Sequence, residues 1–354
     1  MASPRVSIIW LNYNSMKMID LALRSLNAAS ELDYPSDKYE VIVVDNCSTD
    51  GSFEKIKEFL EKRSGLRKKI IRLNKNLGFT GGNNVGFRAR DKESKYVVLL
   101  NNDAIPFKES LETMMEYAEQ YDVGGLMGII LKYNEDNVID TAGDYMDEML
   151  ISFPAGEGRR APWIIRKPFY VTYADGAYAL YNVSCILKSM GERLFFDEFF
   201  GYGDDNVLGL MLWNNNYRII SIPKVVATHR RGSTFGKGPT PLSAYLDARN
   251  RIALLHLTNA MHKNRIWLHI VRTTLSKLLK EEVFKRVVKA YYNGVKLSEV
   301  LRRKYNLFID IYKAPILRVS LREFITYYIA GMRRSLLAYN EERIVSLIER
   351  WKVD

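Results

Sequence analysis

The stretch Lys95–Phe107 reads KYVVLLNNDAIPF. Tyr96 to Leu100 is an unbroken apolar run that stops at Asn101, Asn102 and Asp103. A short apolar run of this kind reads as a strand buried on both faces, as in a parallel sheet. The polar segment after it is short and acceptor-rich, and Pro106 turns the chain. Open α/β sheets place ligands at the carboxyl ends of their strands. Asp103 is therefore a candidate ligand for a divalent metal, with the rest of the chain bringing two substrates to it.

Outward from this strand the pattern alternates. Val6–Leu11, Glu40–Val44 and Lys69–Leu73 read as three earlier strands. Helices are expected over Ser15–Ala29, Ser52–Lys62 and Asn83–Asp91, from apolar residues at helical spacing. This β-α-β-α-β-α-β order predicts an α/β fold with a mostly parallel sheet, Rossmann-like and covered on both faces. A dinucleotide-binding domain would carry G-x-G-x-x-G directly after strand one. Here Asn12-Tyr13-Asn14 stands there, and the glycine-rich stretch NKNLGFTGGNNVG (74–86) comes after strand three. No Walker lysine pattern occurs either.

Beyond Pro106 the spacing predicts a helix over Glu109–Gln120 and a strand over Gly124–Lys132. Residues 133–170 hold glycines and prolines and read as loops or a hairpin. Asp204 and Asp205 open a helical segment running to Trp213, a favourable place for carboxylates against the helix dipole. A strand pair is expected around Pro223, before Thr228-His229-Arg230-Arg231.

The chain has 354 residues, 47% of them hydrophobic and 26% charged, ordinary values for a folded domain or two. Cys47 and Cys185 are too few for a disulfide framework. No signal peptide or membrane span reads from the sequence, so a cytoplasmic protein is expected, free or peripheral on the inner face of the cell membrane. The net charge of +11 is uneven: residues 261–354 hold 20 Lys+Arg and 9 Asp+Glu, while the rest holds 32 of each. Such asymmetry points to an anionic partner for the tail.

VSIIWLNYN, VIVVDNCSTDGS, NKNLGFTGGNNVG, LLNNDAIP, GYGDDN and ATHRRGS, in this order, resemble the family 2 glycosyltransferases of GT-A fold, on the rhamnosyltransferase-like branch. The resemblance covers about residues 5–255. It implies a metal-dependent, inverting transfer of a hexosyl or deoxyhexosyl unit from a nucleotide-diphosphate sugar to a glycan or lipid-linked acceptor. It gives Asp45 to the nucleotide base, with Asn12 and Asn14 beside it. Gly78 and Gly81 would let the backbone approach the nucleotide, and Asn84 would make a polar contact. Asn101 and Asn102 would face the donor, with Asn101 standing where the family has a carboxylate. Asp103 and His229 would hold Mg2+ or Mn2+. Asp205 would be the general base, with Asp204 raising its pKa. Arg249 is the candidate diphosphate contact. Singly, each of these residues reads as a turn, cap or satisfied core residue; together in order they read as a site. Two other readings stand beside this one: a nucleotidyltransferase of related fold, and a basic nucleic-acid-binding protein. The first wants a basic glycine-rich loop after strand one, and the second wants aromatic platforms on strands.

The expected organisation is a catalytic domain over residues 1–255 and a basic helical region over 256–354. Ile266–Leu279 has the composition of a basic amphipathic helix. Its expected partner is an anionic membrane surface, or else a second copy of the chain in a homodimer; nucleic acid is not expected.

Overall fold

The computed structural model describes residues 3–231, 240–275, 281–329, 333–351 and 353. A ten-stranded mixed sheet forms its centre. The first strands are β1 (Val6–Asn12), β2 (Tyr39–Asp45), β3 (Lys68–Arg72) and β4 (Tyr96–Asn101). They are joined by α1 (Ile19–Ser30), α2 (Ser52–Glu61) and α3 (Gly78–Ala89). β1 lies parallel between β2 and β4, and β3 runs parallel outside β2. β1, β2 and β4 are buried almost end to end. Burial on both faces is why they read as continuous apolar runs. The register sets Asn12 opposite Asp45 and Leu11 opposite Asn101, so the three strands end together.

The second half builds outward from β4. Its elements are β5 (Ala104–Pro106), α4 (Ser110–Tyr121), β6 (Gly125–Lys132), β7 (Ile139–Thr141), β8 (Asp144–Asp147), β9 (Ser152–Pro154), β10 (Phe169–Tyr170), β11 (Tyr178–Asn182), α5 (Val183–Met190), α6 (Asp204–Asn214) and β12 (Ile219–His229). The sheet order is β10-β12-β6-β11-β4-β1-β2-β3, with β5 paired to β12 and β7 to β6. β11 runs antiparallel between β4 and β6, so β6 and β12 keep the direction of β4.

Three expectations change. α3 begins at Gly78, inside the stretch read as a glycine-rich loop. Its glycines pack the helix down: ideal Cβ atoms on Gly82 and Gly86 would lie 2.5 Å from Leu11 and Ile9 side-chain atoms of β1. Pro223 does not split a strand pair. β12 passes through it as one strand of 11 residues, absorbing it as an irregularity in register against β6. Residues 133–170, read as loops, carry the short strands β7–β10, and every residue of β7 and β8 is buried.

The tail contains α7 (Pro241–Leu257), α8 (Lys263–Leu275), α9 (Glu281–Tyr305), β13 (Ile316–Leu317), α10 (Leu321–Glu323) and α11 (Arg333–Arg350). It is not helical throughout. β13 pairs parallel with β8, which pairs with β9, in a separate three-stranded sheet. α9 lies close on α7, where an ideal Cβ on Gly294 would sit 2.6 Å from the Arg249 carbonyl. Ser276 to Leu279, the end of the expected amphipathic segment, lie outside the described residues, as do Gly232 and Ser233.

Gly78 joins the two halves. Its φ is +73°, and an ideal Cβ would lie 2.1 Å from the Phe200 carbonyl oxygen. Gly78→Ala should cost about 2–4 kcal/mol of unfolding free energy in a denaturant titration. Gly65→Ala, where nothing lies within 4 Å of the new methyl, should change it by less than about 0.5 kcal/mol.

Candidate active site

Strand pairing builds the first corner of the site. β5 turns back against β12 in a register that sets His229 opposite Ala104, and the Arg230 amide donates to the Asp103 carbonyl at 3.0 Å. His229 Nε2 then lies 3.3 Å from Asp103 Oδ1. β7, on the far side of β6, brings Asp140 Oδ2 to 2.9 Å from His229 Nδ1. Arg231 closes the corner, donating to Asp140 at 2.9 Å and to Asp175 at 2.9 Å. Asp103, Asp140 and His229 are all buried. Burial alone would lower the His229 pKa. Hydrogen bonds to Asp103 and Asp140 outweigh it and raise the value to about 10. Asp140 is likewise disfavoured by burial as an anion, yet His229 and Arg231 hold its pKa below the usual range.

The second corner is the start of α6. Asp204 is buried, and Asp205 lies against the Asp175-Gly176 turn, where the Gly176 amide donates to Asp205 Oδ2 at 3.3 Å. An ideal Cβ on Gly176 would meet Asp205 Oδ1 at 2.9 Å, so glycine is what lets the carboxylate approach. Burial pushes Asp204 up to about 6. Burial, then the charges of Asp204 and Asp175, push Asp205 well above the carboxylate range. Asp204 Oδ2 and Asp205 Oδ1 are buried without a hydrogen-bond partner. An enclosed, proton-hungry carboxylate with an open acceptor is what a general base at neutral pH requires. Asp144 completes the cluster, raised by burial and by Asp175.

The loop before α6 is strained and held from outside. Phe200 and Tyr202 have φ of 65° and 69°, left-handed values for two aromatic residues. Buried Asn250 of α7 donates to the carbonyls of Phe199, Gly201 and Tyr202 at 3.1, 2.7 and 2.8 Å. Arg249 adds bonds to the carbonyls of Glu198 and Phe199. From the other side, Asn84 accepts from the Leu194 and Phe195 amides and donates to the Phe195 carbonyl and Asp197. All four hydrogen-bonding positions of the Asn84 side chain are used, which leaves none for a nucleotide. The expected ligand contact of Asn84 is corrected accordingly, and both side chains grip the loop that carries Asp204 and Asp205.

The nucleotide end is partly corrected as well. Asp45 is fully buried, with Oδ1 taken by Asn12 at 2.8 Å and Oδ2 by the Ser48 amide at 3.0 Å. Asn12, also fully buried, further contacts Ser48, Ser52 and Ser15. These two residues build the strand ends. Asn14 is the exposed member, bonded to the Thr49 amide at 2.9 Å. Gly81 sits inside α3, where a Cβ would strike the Leu77 side chain at 2.6 Å, so its role is packing. Asn101 is half-buried at the end of β4, and Asn102 reaches toward Asn12 at 3.5 Å. Asp103, His229, Asp204 and Asp205 are thus brought to one face. Asp140, Asp144, Asp175 and Arg231 complete it and were not anticipated. The Asp175-Gly176 turn and the place of Arg231 beside His229 were the only signals for them.

Residues 7–174 match the family model described as Glycosyl transferase family 2. This chain carries a family 2 glycosyltransferase domain. Over 237 residues it is 24% identical to a dolichyl N-acetyl-α-D-glucosaminyl phosphate 3-β-D-2,3-diacetamido-2,3-dideoxy-β-D-glucuronosyltransferase of Methanococcus voltae, covering 66% of this chain and 68% of that protein. The other curated relatives it matches are covered over 19–44% of their length. Among solved structures, GalNAc-T7 with UDP, GalNAc and Mn2+ superposes with a TM-score of 0.63 at 12% identity, over 94% of this chain and 57% of that one. A mannosyltransferase of Pyrobaculum calidifontis with GDP-Man and Mn2+ gives 0.51 at 18% identity, over 86% and 88%. The fold is GT-A, and the family match sets aside the nucleotidyltransferase and nucleic-acid readings.

Because the Asp204 pKa is raised in the folded state, its contribution to stability is present below about pH 4 and lost as pH rises through about 6. Asp204→Asn should therefore increase unfolding free energy at pH 8 by about 1–3 kcal/mol. In thermal melts across pH, the gain should vanish below about pH 4.

Proposed function

We propose that the protein is an inverting, metal-dependent glycosyltransferase that moves a sugar from a nucleotide-diphosphate donor to a hydroxyl of a glycan or lipid-linked acceptor. The observation that carries this reading is the pairing, on one face, of an Asp103–His229 corner with Asp205 at the start of α6, whose Oδ1 has no hydrogen-bond partner. The Methanococcus voltae relative is named for a dolichyl phosphate-linked acceptor, which supports the lipid-linked class.

The residues at the first corner fit a divalent metal. Two atoms 3.3 Å apart, one carboxylate oxygen and one imidazole nitrogen, match neighbouring ligands of a cation bound at roughly 2.1–2.3 Å once the ion displaces the proton that Asp103 and Asp140 hold on His229. Among the described residues no three His, Cys, Asp or Glu side chains gather as a complete metal site. The donor's own diphosphate would supply remaining ligands, consistent with Asn101 standing where a second carboxylate is expected. Mg2+ and Mn2+ both suit this donor set, and two structural neighbours were solved with Mn2+. Bound there, the ion supplies Lewis-acid neutralisation of the leaving diphosphate. Asp140 orients His229 through Nδ1 so that Nε2 faces the Asp103 carboxylate, as outer carboxylates do for metal-ligating histidines.

Asp205 takes the proton from the acceptor hydroxyl. The acceptor oxygen forms a bond to the anomeric carbon as the bond to the phosphate oxygen breaks. The electron pair leaves with the diphosphate, and attack from the opposite face inverts the configuration. Asp204 keeps the proton affinity of Asp205 high. Arg249, Asn250 and Asn84 act as positioning residues, holding the loop against its left-handed strain. Asn14, Asn101 and Asn102 face the donor, and Gly78 seats the loop close to α3.

Transfer screened over UDP-, GDP- and dTDP-linked sugars with Mn2+ or Mg2+ should find one preferred donor. Asp205→Asn should lower kcat by about a thousandfold or more while changing donor affinity less than about threefold. Equal loss of binding and transfer contradicts the base assignment, and unchanged transfer in Asp103→Ala contradicts the metal corner.

A further inference from the structure

α8 is apolar on two opposite faces. Ile266 and Ile270 point into the core and are 0% and 4% exposed. Leu268, Val271 and Leu275 point the other way and are 52%, 40% and 52% exposed. At about 100° per residue the exposed three fall within an arc of roughly 60°, opposite the buried pair. Met261, in the turn before the helix, is 64% exposed. Exposed Asn264 is the one polar residue that falls within this arc.

One edge of the stripe is cationic. Arg265 and Arg272 lie along one edge, anchored to the Val319 and Tyr328 carbonyls at 3.5 and 3.0 Å. Lys263 stands at the start of α8. The same contacts tie α8 to the segment after β13, whose Leu321 and Ile325 are also exposed, by 56% and 53%. The whole excess charge of the chain, 20 basic against 9 acidic residues, lies in residues 261–354.

We propose that this face of α8 docks in the plane of an anionic phospholipid bilayer, with Leu268, Val271 and Leu275 in the acyl boundary and Lys263, Arg265 and Arg272 at the headgroups. An apolar stripe with cations along one edge is complementary to such a surface in both hydrophobicity and charge. A second copy of the chain is not, since its own tail would bring the same positive charge to the contact. No helix among the described residues is long and apolar enough to cross a membrane, so the attachment lies on the surface. The proposal goes beyond the sugar chemistry and stands without it.

Vesicle co-sedimentation of the full chain tests it, using phosphatidylcholine alone and phosphatidylcholine mixed with phosphatidylglycerol. The full chain should bind the mixed vesicles, bind neutral ones weakly, and lose affinity as salt rises. Leu268→Ser/Leu275→Ser should lower partitioning by about tenfold, with donor binding and the melting curve unchanged. Lys263→Glu, remote from the stripe's packing, should also weaken binding to the mixed vesicles. Absence of binding, equal binding to neutral vesicles, or indifference to the stripe substitutions overturns the proposal. So does a lipid-free dimer in analytical ultracentrifugation that the same substitutions dissociate, since a second copy would then be the occupant.

Discussion

Six carboxylates converge where the central strands end: Asp103, Asp140, Asp144, Asp175, Asp204 and Asp205. Asp103, Asp140, Asp144 and Asp204 are buried, and His229 and Arg231 are the cations set directly among them. Buried like charges are tolerated only when paired, protonated or bound to a cation. The rest of the site depends on that constraint. At one corner His229 and Arg231 keep Asp140 ionised. At the other, no cation among the described residues pairs with Asp205, and its proton affinity rises. One excess of negative charge thus produces two chemistries, a corner suited to a divalent ion and a corner suited to taking a proton. Arg231 bridges Asp140 and Asp175 and so ties the two corners together.

The second dependency runs from α7 and α9 to the loop that carries Asp205. Asn250 and Arg249, on α7, hold the carbonyls of a loop whose Phe200 and Tyr202 sit in left-handed conformations. Such residues cost of order 1–3 kcal/mol each and persist when neighbours over-determine them. α9 packs on α7 at Gly294, and Glu198 of the loop pairs with Lys304 of α9 at 2.9 Å. The tail helices are therefore part of the support for Asp205, in addition to presenting the exposed stripe of α8.

Much of the fold could be read from residue order. β1, β2 and β4 are buried on both faces, and their apolar runs end where the polar site begins, so strand and site were visible together. The gathering of Asp103, His229, Asp204 and Asp205 was legible because each lies at an element's end within a recognisable string. Asn84 and Gly81 misled for a physical reason: a polar or small residue near a site looks the same in sequence whether it meets a ligand or its own fold. Asp140 and Asp144 were hidden because β7 and β8 have three and four residues, too short for periodicity to show. Their place beside His229 is set by long-range pairing of β6 with β12 and β7, which no local pattern encodes.

The central claim is that Asp103 and His229 provide an incomplete metal corner that the donor's diphosphate completes. Mn2+ binding followed by electron paramagnetic resonance, with and without a nucleoside diphosphate, tests it most directly. The account predicts weak binding to the protein alone, tightened about tenfold or more by the nucleotide, and lost in Asp103→Ala and His229→Ala. Equal Mn2+ affinity with and without nucleotide, or affinity indifferent to both substitutions, would contradict it.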